Sequence, residues 1–319
     1  MADETAAAGG PRHRAERGRA RKHWTAAWAV TISVGLVAAL VLSGSGQGAP
    51  ASASGSPMAA AGSTPADRMG VFQIKCRWSH AAPDDPIVAP GDPGAAHRHE
   101  FYGNVSTDAH STTSSLTSRG TTCARPQDKA AYWSPTLYNK GTRVQPNLMN
   151  AYYRTGPLRD PSVIRPYPLG LRMIAGDAHA TMPQSTVVTH WSCADDGPKG
   201  TSEPPPSCPG VPLRLKIVFP NCWDGKNLDS ADHKSHMAYS YKHDKECPAS
   251  HPVALPTLKM GLRYDISGPL DRITLASGSR FSGHADFWNA WDPAAQRRLI
   301  EQCLLRARTC NSPPLPPRR

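Results

Sequence analysis

No Cys-x-x-Cys pair occurs in this chain, which argues against zinc-ribbon and thioredoxin-like arrangements. Gly-x-Ser-x-Gly, P-loop and Gly-x-Gly-x-x-Gly motifs are also missing, so nucleophile-elbow hydrolases, P-loop NTPases and dinucleotide enzymes find no support. The His-Glu-x-x-His zincin pattern is absent. Hydrophobic residues are scarce at 39%, against roughly 45–50% in ordinary globular chains. The 32 prolines and 26 glycines argue against a long-helix bundle or coiled coil, since both residues break regular elements. No internal repeat is visible. The 319 residues still suffice to bury a core in one large domain or two small ones.

The chain opens with a basic stretch, 1–23, holding Arg12, Arg14, Arg17, Arg19, Arg21 and Lys22 against Asp3, Glu4 and Glu16. Trp24 to Leu42 then carries no charge. A helix of that length rises roughly 28 Å, close to the bilayer's hydrocarbon thickness. The charge order places the N-terminus in the cytoplasm and exports the remainder of the chain. Two readings stand: a signal peptide cut near Ala51-Ser52-Ala53, or an uncleaved single-pass membrane anchor. No Arg-Arg pair precedes the segment, which argues against the twin-arginine route. Residues 43–68, rich in Gly, Ala, Ser and Pro, read as a flexible tether. A single folded domain is expected over 69–312, extracellular or at the cell surface, with a frayed Pro-rich tail, 313–319. The net charge of +11 suits anionic surroundings, but an exported chain without a binding motif is not expected to meet nucleic acid.

All eight cysteines, Cys76, Cys123, Cys193, Cys208, Cys222, Cys247, Cys303 and Cys310, lie after the tether. In an exported chain an even number reads as disulfides, and pairing of chain neighbours is the simplest of many connectivities. Leu213, Leu215, Ile217 and Phe219 alternate with Arg214 and Lys216, the pattern of a strand with one solvated face. Further short strands are expected at 71–75, 132–138, 148–154, 171–175, 187–191, 236–239, 262–266 and 272–275, separated by turn residues. The fold class is therefore mainly β, an antiparallel sandwich or barrel-like core with long loops, with α+β as the alternative. One C-terminal helix is expected, capped by Asp292, with Pro293 in its first turn.

Four histidine clusters look chemical. His97-x-His99 on extended backbone points both imidazoles one way. His233 and His236, spaced i, i+3, meet on a helical turn. His251 and the His284-x-Asp286 pair complete the set. Imidazoles and carboxylates hold divalent metals and move protons. The candidate catalytic set is His97, His99, His233, His236, His251, His284 and Asp286, with Asp177 and Asp224 as further carboxylates; Asp224, in Asp-Gly, also reads as a turn residue. His97, His99, His233 and His236 are the candidate ligands of a divalent metal. Tyr102, Trp223 and Trp288 are candidate sugar-stacking residues.

Eight motifs in order carry a resemblance. They are Asp85-Pro-Ile-Val-Ala-Pro-Gly91, His97-x-His99 with Tyr102-Gly-Asn104, Tyr132–Tyr138, Pro168–Gly176, Phe219–Asn227, Asp232–Tyr239, Cys247–Pro256 and Gly283-His-x-Asp-Phe287 with Trp291. Together they resemble the secreted fungal and actinobacterial family catalogued as domain of unknown function 1996. The resemblance implies a wall-associated protein and leans toward a polysaccharide partner. Three functions are expected in order: a His/Asp-site enzyme acting on cell-wall or environmental polysaccharide, a non-catalytic wall-binding protein, and an extracellular metal-binding protein.

Overall fold

The computed structural model describes residues 69–194, 200–266 and 268–317. The basic stretch, the apolar segment 24–42 and the tether lie outside the described residues. Among the described residues no helix is long and apolar enough to cross a membrane.

The chain folds into strands β1 (Val71–Ala82), β2 (His99–Gly103), β3 (Ala131–Pro135), β4 (Leu137–Asn139), β5 (Thr142–Val144), β6 (Leu148–Arg154), β7 (Arg172–Gly176) and β8 (Thr189–Cys193). They are followed by β9 (Leu213–Val218), β10 (Cys222–Trp223), β11 (Met237–Ala238), β12 (Val253–Ala254), β13 (Thr257–Tyr264), β14 (Ile273–Leu275), β15 (His284–Trp288) and β16 (Thr309–Cys310). Two short helices are α1 (Thr113–Ser118) and α2 (Pro293–Leu299). The main sheet runs β7-β15-β3-β2-β1-β6-β13-β9-β8, antiparallel throughout, with β16 parallel to β1 at one end. Its two ends return to each other. Thr189 of β8 donates to the carbonyl of Gly283, just before β15, at 3.2 Å. The sheet is therefore a nearly closed barrel, and the fold is mainly β.

Period two fills the barrel. Phe72, Ile74 and Cys76 of β1, Met149, Ala151 and Tyr153 of β6, and Leu258, Met260 and Leu262 of β13 all point into one core. Each buried side chain of this size stabilises the fold by about 1.5–3 kcal/mol relative to exposure. On β9 the alternation holds, but its expected solvated face does not: Arg214 and Lys216 are buried along with Leu213, Leu215 and Ile217. The Asp265 carboxyl is held below its ordinary range chiefly by the Arg263 hydrogen bond, with the Arg214 guanidinium adding a smaller share.

Chain neighbours form the disulfides: Cys76–Cys123, Cys193–Cys208, Cys222–Cys247 and Cys303–Cys310. Asp292 caps α2 by accepting from the Ala295 amide at 2.7 Å, and Pro293 occupies its first turn. The helix runs on through a π-helical turn, Ile300–Leu304, that packs Ile300, Cys303 and Leu304 inward. Beyond it the Pro-rich segment is not frayed over 311–317. It lies beside β1, where the Lys75 amide donates to Ser312 and the Arg77 guanidinium donates to the Pro316 carbonyl.

One buried polar chain crosses the core. Trp291 Nε1 donates to the Tyr153 hydroxyl at 3.0 Å, Tyr153 meets Tyr132, and Tyr132 donates to Asp128 Oδ2 at 2.8 Å. Burial raises the Asp128 carboxyl to about 8, against the lowering effect of its hydrogen bonds from Tyr132 and Ala130. A raised folded value means that the native state holds a proton the unfolded chain has released. Stability from this group is complete below the ordinary carboxylate range and is lost as pH rises toward 8. The slope in that window is at most about 1.4 kcal/mol per pH unit. Asp128→Asn is expected to flatten the decline between pH 4 and pH 8; parallel wild-type and variant profiles from urea unfolding would refute the assignment.

Candidate functional site

The pleat decides which side chains reach the site. On β2, Glu100 and Tyr102 face one way, and His99 and Phe101 face the other. On β15, Ala285 and Phe287 enter the main core, while His284, Asp286 and Trp288 face outward with Trp133 of β3. This outer face is not solvated. A second apolar cluster of Ile87, Phe101, Leu116, Ala131, Trp133 and Trp288 covers it. The segment leading into β2 folds across the same face. Asp85 ties it down, accepting from the amides of Ile87 and Val88 at 2.9 and 3.0 Å.

Three imidazoles converge at the edge of this cover. His97 Nε2 lies 3.2 Å from His284 Nε2, and the rings of His97 and His99 are 4.2 Å apart. One nitrogen from each of His97, His99 and His284 falls within 4.8 Å of the others. The same holds for Asp85, His99 and Asp286, so His99 joins two overlapping sets. A further group, Cys76, Cys123 and Asp128, is not a metal site, because its two sulfurs are bonded to each other.

The tautomers follow from the partners. His99 Nδ1 donates to the Asp84 carbonyl at 2.9 Å, and His284 Nδ1 donates to the Ser282 carbonyl at 2.9 Å. Each Nε2 is thereby left without a proton, and that of His284 accepts from His97 Nε2. His99 Nε2 is buried with no hydrogen-bond partner, and so is Asp286 Oδ2. Such atoms are costly, about 1–3 kcal/mol each, unless something pairs with them. Metal-binding histidines in general donate their second nitrogen to a carbonyl in this way. Two nitrogens about 2.0–2.1 Å from a zinc-sized ion sit roughly 2.9–3.4 Å apart, and the His97–His284 distance of 3.2 Å falls in that interval.

Electrostatics favour neutral imidazoles. Burial pushes His284 down to about 3. Burial and the neighbouring His97 and His284 hold His99 well below the usual histidine range, and burial lowers His97 as well. Burial, then repulsion from Asp85, drives the Asp286 carboxyl far up, and burial raises Asp85. Neutral imidazoles are the form that binds metal. His97 is half-buried, and the exposed Asp177 and His179 rim the site on its side, so the cluster opens to solvent.

The other expected site residues go elsewhere. His236 is buried, with Nε2 on the Arg172 carbonyl at 2.7 Å and Nδ1 on Ser230 at 2.8 Å. His233 bonds the Asp229 carboxylate at 3.0 Å, which also pairs with Arg172. His251 bonds the Ser235 carbonyl at 2.8 Å. These three histidines staple one loop, and none joins the imidazole cluster. Their spacing does not mark a helical turn; His233 has φ of 56°. Asp224 is a turn residue, accepting from the amides of Lys226 and Asn227. Tyr102 lies in the main core, on the side of β2 opposite His99. Trp288 is buried beneath the Arg172 guanidinium, 4.0 Å from its ring centroid. Neither can stack a sugar. Trp223 is partly exposed and donates to the Asn227 carbonyl. Glu100, next to His99 in sequence, is fully satisfied on the far face by Arg143, Trp78 and Thr136.

Sequence reasoning passed over Asp85 and Lys234 as site residues. Asp85 opens the first of the ordered motifs, and that placement was its one available signal. Lys234 sat between the two histidines that drew attention instead.

Residues 85–291 match the family model described as Domain of unknown function (DUF1996), a span that contains Asp85, His97, His99, His284 and Asp286. No curated protein and no solved structure matches.

The stapling assignment has a measurable consequence. His236→Ala leaves the Arg172 carbonyl and Ser230 without partners, and is expected to lower unfolding free energy by about 2 kcal/mol. An unchanged denaturant midpoint would remove His236 from that role.

Proposed function

We propose that this chain, which belongs to the DUF1996 family, is an exported metal-dependent hydrolase acting on cell-wall or environmental polysaccharide. The observation that supports this best is the set of bare, buried acceptors, His99 Nε2 and Asp286 Oδ2, beside the His97–His284 contact. In this reading His97, His99 and His284 hold one divalent ion, and Asp286, kept protonated by burial beside His99, is a proton donor. The ion would lower the proton affinity of a bound water and so supply a nucleophile at neutral pH. Three histidines with one open side is the arrangement of catalytic rather than structural zinc sites, which are closed.

Export is supported by the four disulfides, which suit an oxidising compartment. An open depression of about 420 Å³ beside the cluster mixes hydroxyl groups of Ser79, Ser106 and Thr107 with the apolar Ala82 and Val105, a lining that suits the alternating polar and apolar faces of a sugar. Asp84 is common to both features, since its carbonyl orients His99 and the residue borders the depression. A wall-binding protein without catalysis gains less support, because Tyr102 and Trp288 are buried away from any ligand.

Elemental analysis of the purified full-length chain tests the centre. Near one divalent metal per chain is expected in the wild type, in His233→Ala and in His236→Ala. His97→Ala and His284→Ala are expected to lose it, together with any release of reducing ends from wall polysaccharide. Full metal content in a folded His284→Ala chain would sink the proposal.

A further inference from the structure

The loop from Asp229 to His236 is built with unusual rigidity for an exposed segment. Asp232 accepts from the amides of Lys234 and Ser235 at 3.1 and 2.8 Å and from the Ser230 hydroxyl at 2.8 Å. Those bonds hold its carboxyl below the ordinary range. Within the loop His233 bonds Asp229, while His236 ties it to the Arg172 carbonyl and His251, from outside, bonds the Ser235 carbonyl. The backbone at His233 is left-handed, a conformation costly for a residue with a side chain.

What this scaffold delivers is Lys234. Its Nζ donates to the Gly176 carbonyl at 3.0 Å. Gly176 pairs with His284 across β7 and β15. A Cβ at Gly176 would sit 2.9 Å from His284 Cα, so no side chain there separates the lysine from the cluster. The ammonium's field reaches both His284 and Asp286. Lys234 is exposed, and among the described residues no carboxylate forms an ion pair with it. An ammonium with a single carbonyl partner keeps two N–H donors for a ligand. Asp177 and His179 are the other charged or titratable groups on this rim, and the Asp177 carboxylate accepts from the His179 amide.

We propose that Lys234 is an anion-binding residue of the site and that the substrate presents an oxyanion, phosphate or carboxylate, between this lysine and the metal. The inference rests on the metal reading above. It narrows the polysaccharide to an acidic one, in which the anionic group is seated before or during cleavage.

The full-length chain loaded with cobalt(II) provides the test, because its visible bands respond when an anion enters the metal's coordination shell. Inorganic phosphate and acetate are titrated separately into the wild type, Lys234→Gln and Lys234→Arg. At unchanged cobalt content, Lys234→Gln is expected to weaken the preferred anion by at least about tenfold, and Lys234→Arg by less than about threefold. Tighter phosphate identifies a phosphate-bearing substrate, and tighter acetate a uronate-like one. Equal affinity in Lys234→Gln, or no anion binding by the loaded wild type, overturns the inference and leaves the metal centre standing. A wild type that takes up no cobalt overturns the metal reading, and this inference with it.

Discussion

A barrel strand has two faces, and here both are buried. That constraint organises the molecule. The inward face of β2, β3 and β15 supplies Tyr102, Tyr132 and Phe287 to the main core. The outward face would be left to water in an ordinary antiparallel sheet. Here the segment around Ile87 and the helix around Leu116 roof it with a second apolar cluster. Polar groups caught at the edge of that roof lose their hydration. His99, His284, Asp85 and Asp286 are those groups. The weakened basicity of the imidazoles and the weakened acidity of the carboxyls share one main origin, the low dielectric between the barrel wall and its cover.

The same constraint explains why near neighbours in sequence differ so sharply in role. Glu100 and His99 are both fully buried. Glu100 receives two bonds from Arg143, one from Trp78 and one from Thr136. His99 has one bond and one bare nitrogen. Other buried polar atoms on the neighbouring strands, such as Trp133 Nε1 and Ser134 Oγ, also lack a partner. What sets His99 apart is that two further imidazoles, His97 and His284, converge on it.

Much of the frame was legible in the sequence. Leu148–Arg154 is a strand over the expected residues, Asp292 caps the expected helix, and the cysteines pair with their chain neighbours. The two strands that carry the site were not legible. His99–Gly103 and His284–Trp288 are buried at all five positions, so neither shows the alternation that marks a half-exposed strand. Covering by a distant segment is invisible to local pattern, and it also misled the reading of Arg214 and Lys216. His97, His99, His284 and Asp286, singled out by residue type, short spacing and motif, lie together in the structure. His233 and His236 were drawn in by the same criterion, because sequence does not reveal whether an imidazole has already spent both nitrogens on a carbonyl and a hydroxyl.

The loop that those histidines staple carries a further tie. Cys222–Cys247 closes the stretch that contains all of it, across a separation of 25 residues. By chain-entropy arithmetic such a closure stabilises the fold by on the order of 3 kcal/mol. Added to the Asp232 turn and the His236 bonds, it restrains a segment that faces solvent at Asp232, Lys234 and Ser235. Exposed loops gain little from such reinforcement unless a side chain must stay in one place. Within this loop Asp229, Ser230, Asp232, His233 and His236 are occupied in holding the backbone or one another. His236 and Asp229 tie the loop to Arg172 at the start of β7, and Lys234 reaches Gly176 at its end, opposite His284. The cross-link, the turn and the three imidazoles together fix the backbone on both sides of Lys234, whose ammonium rests on the strand that pairs with His284.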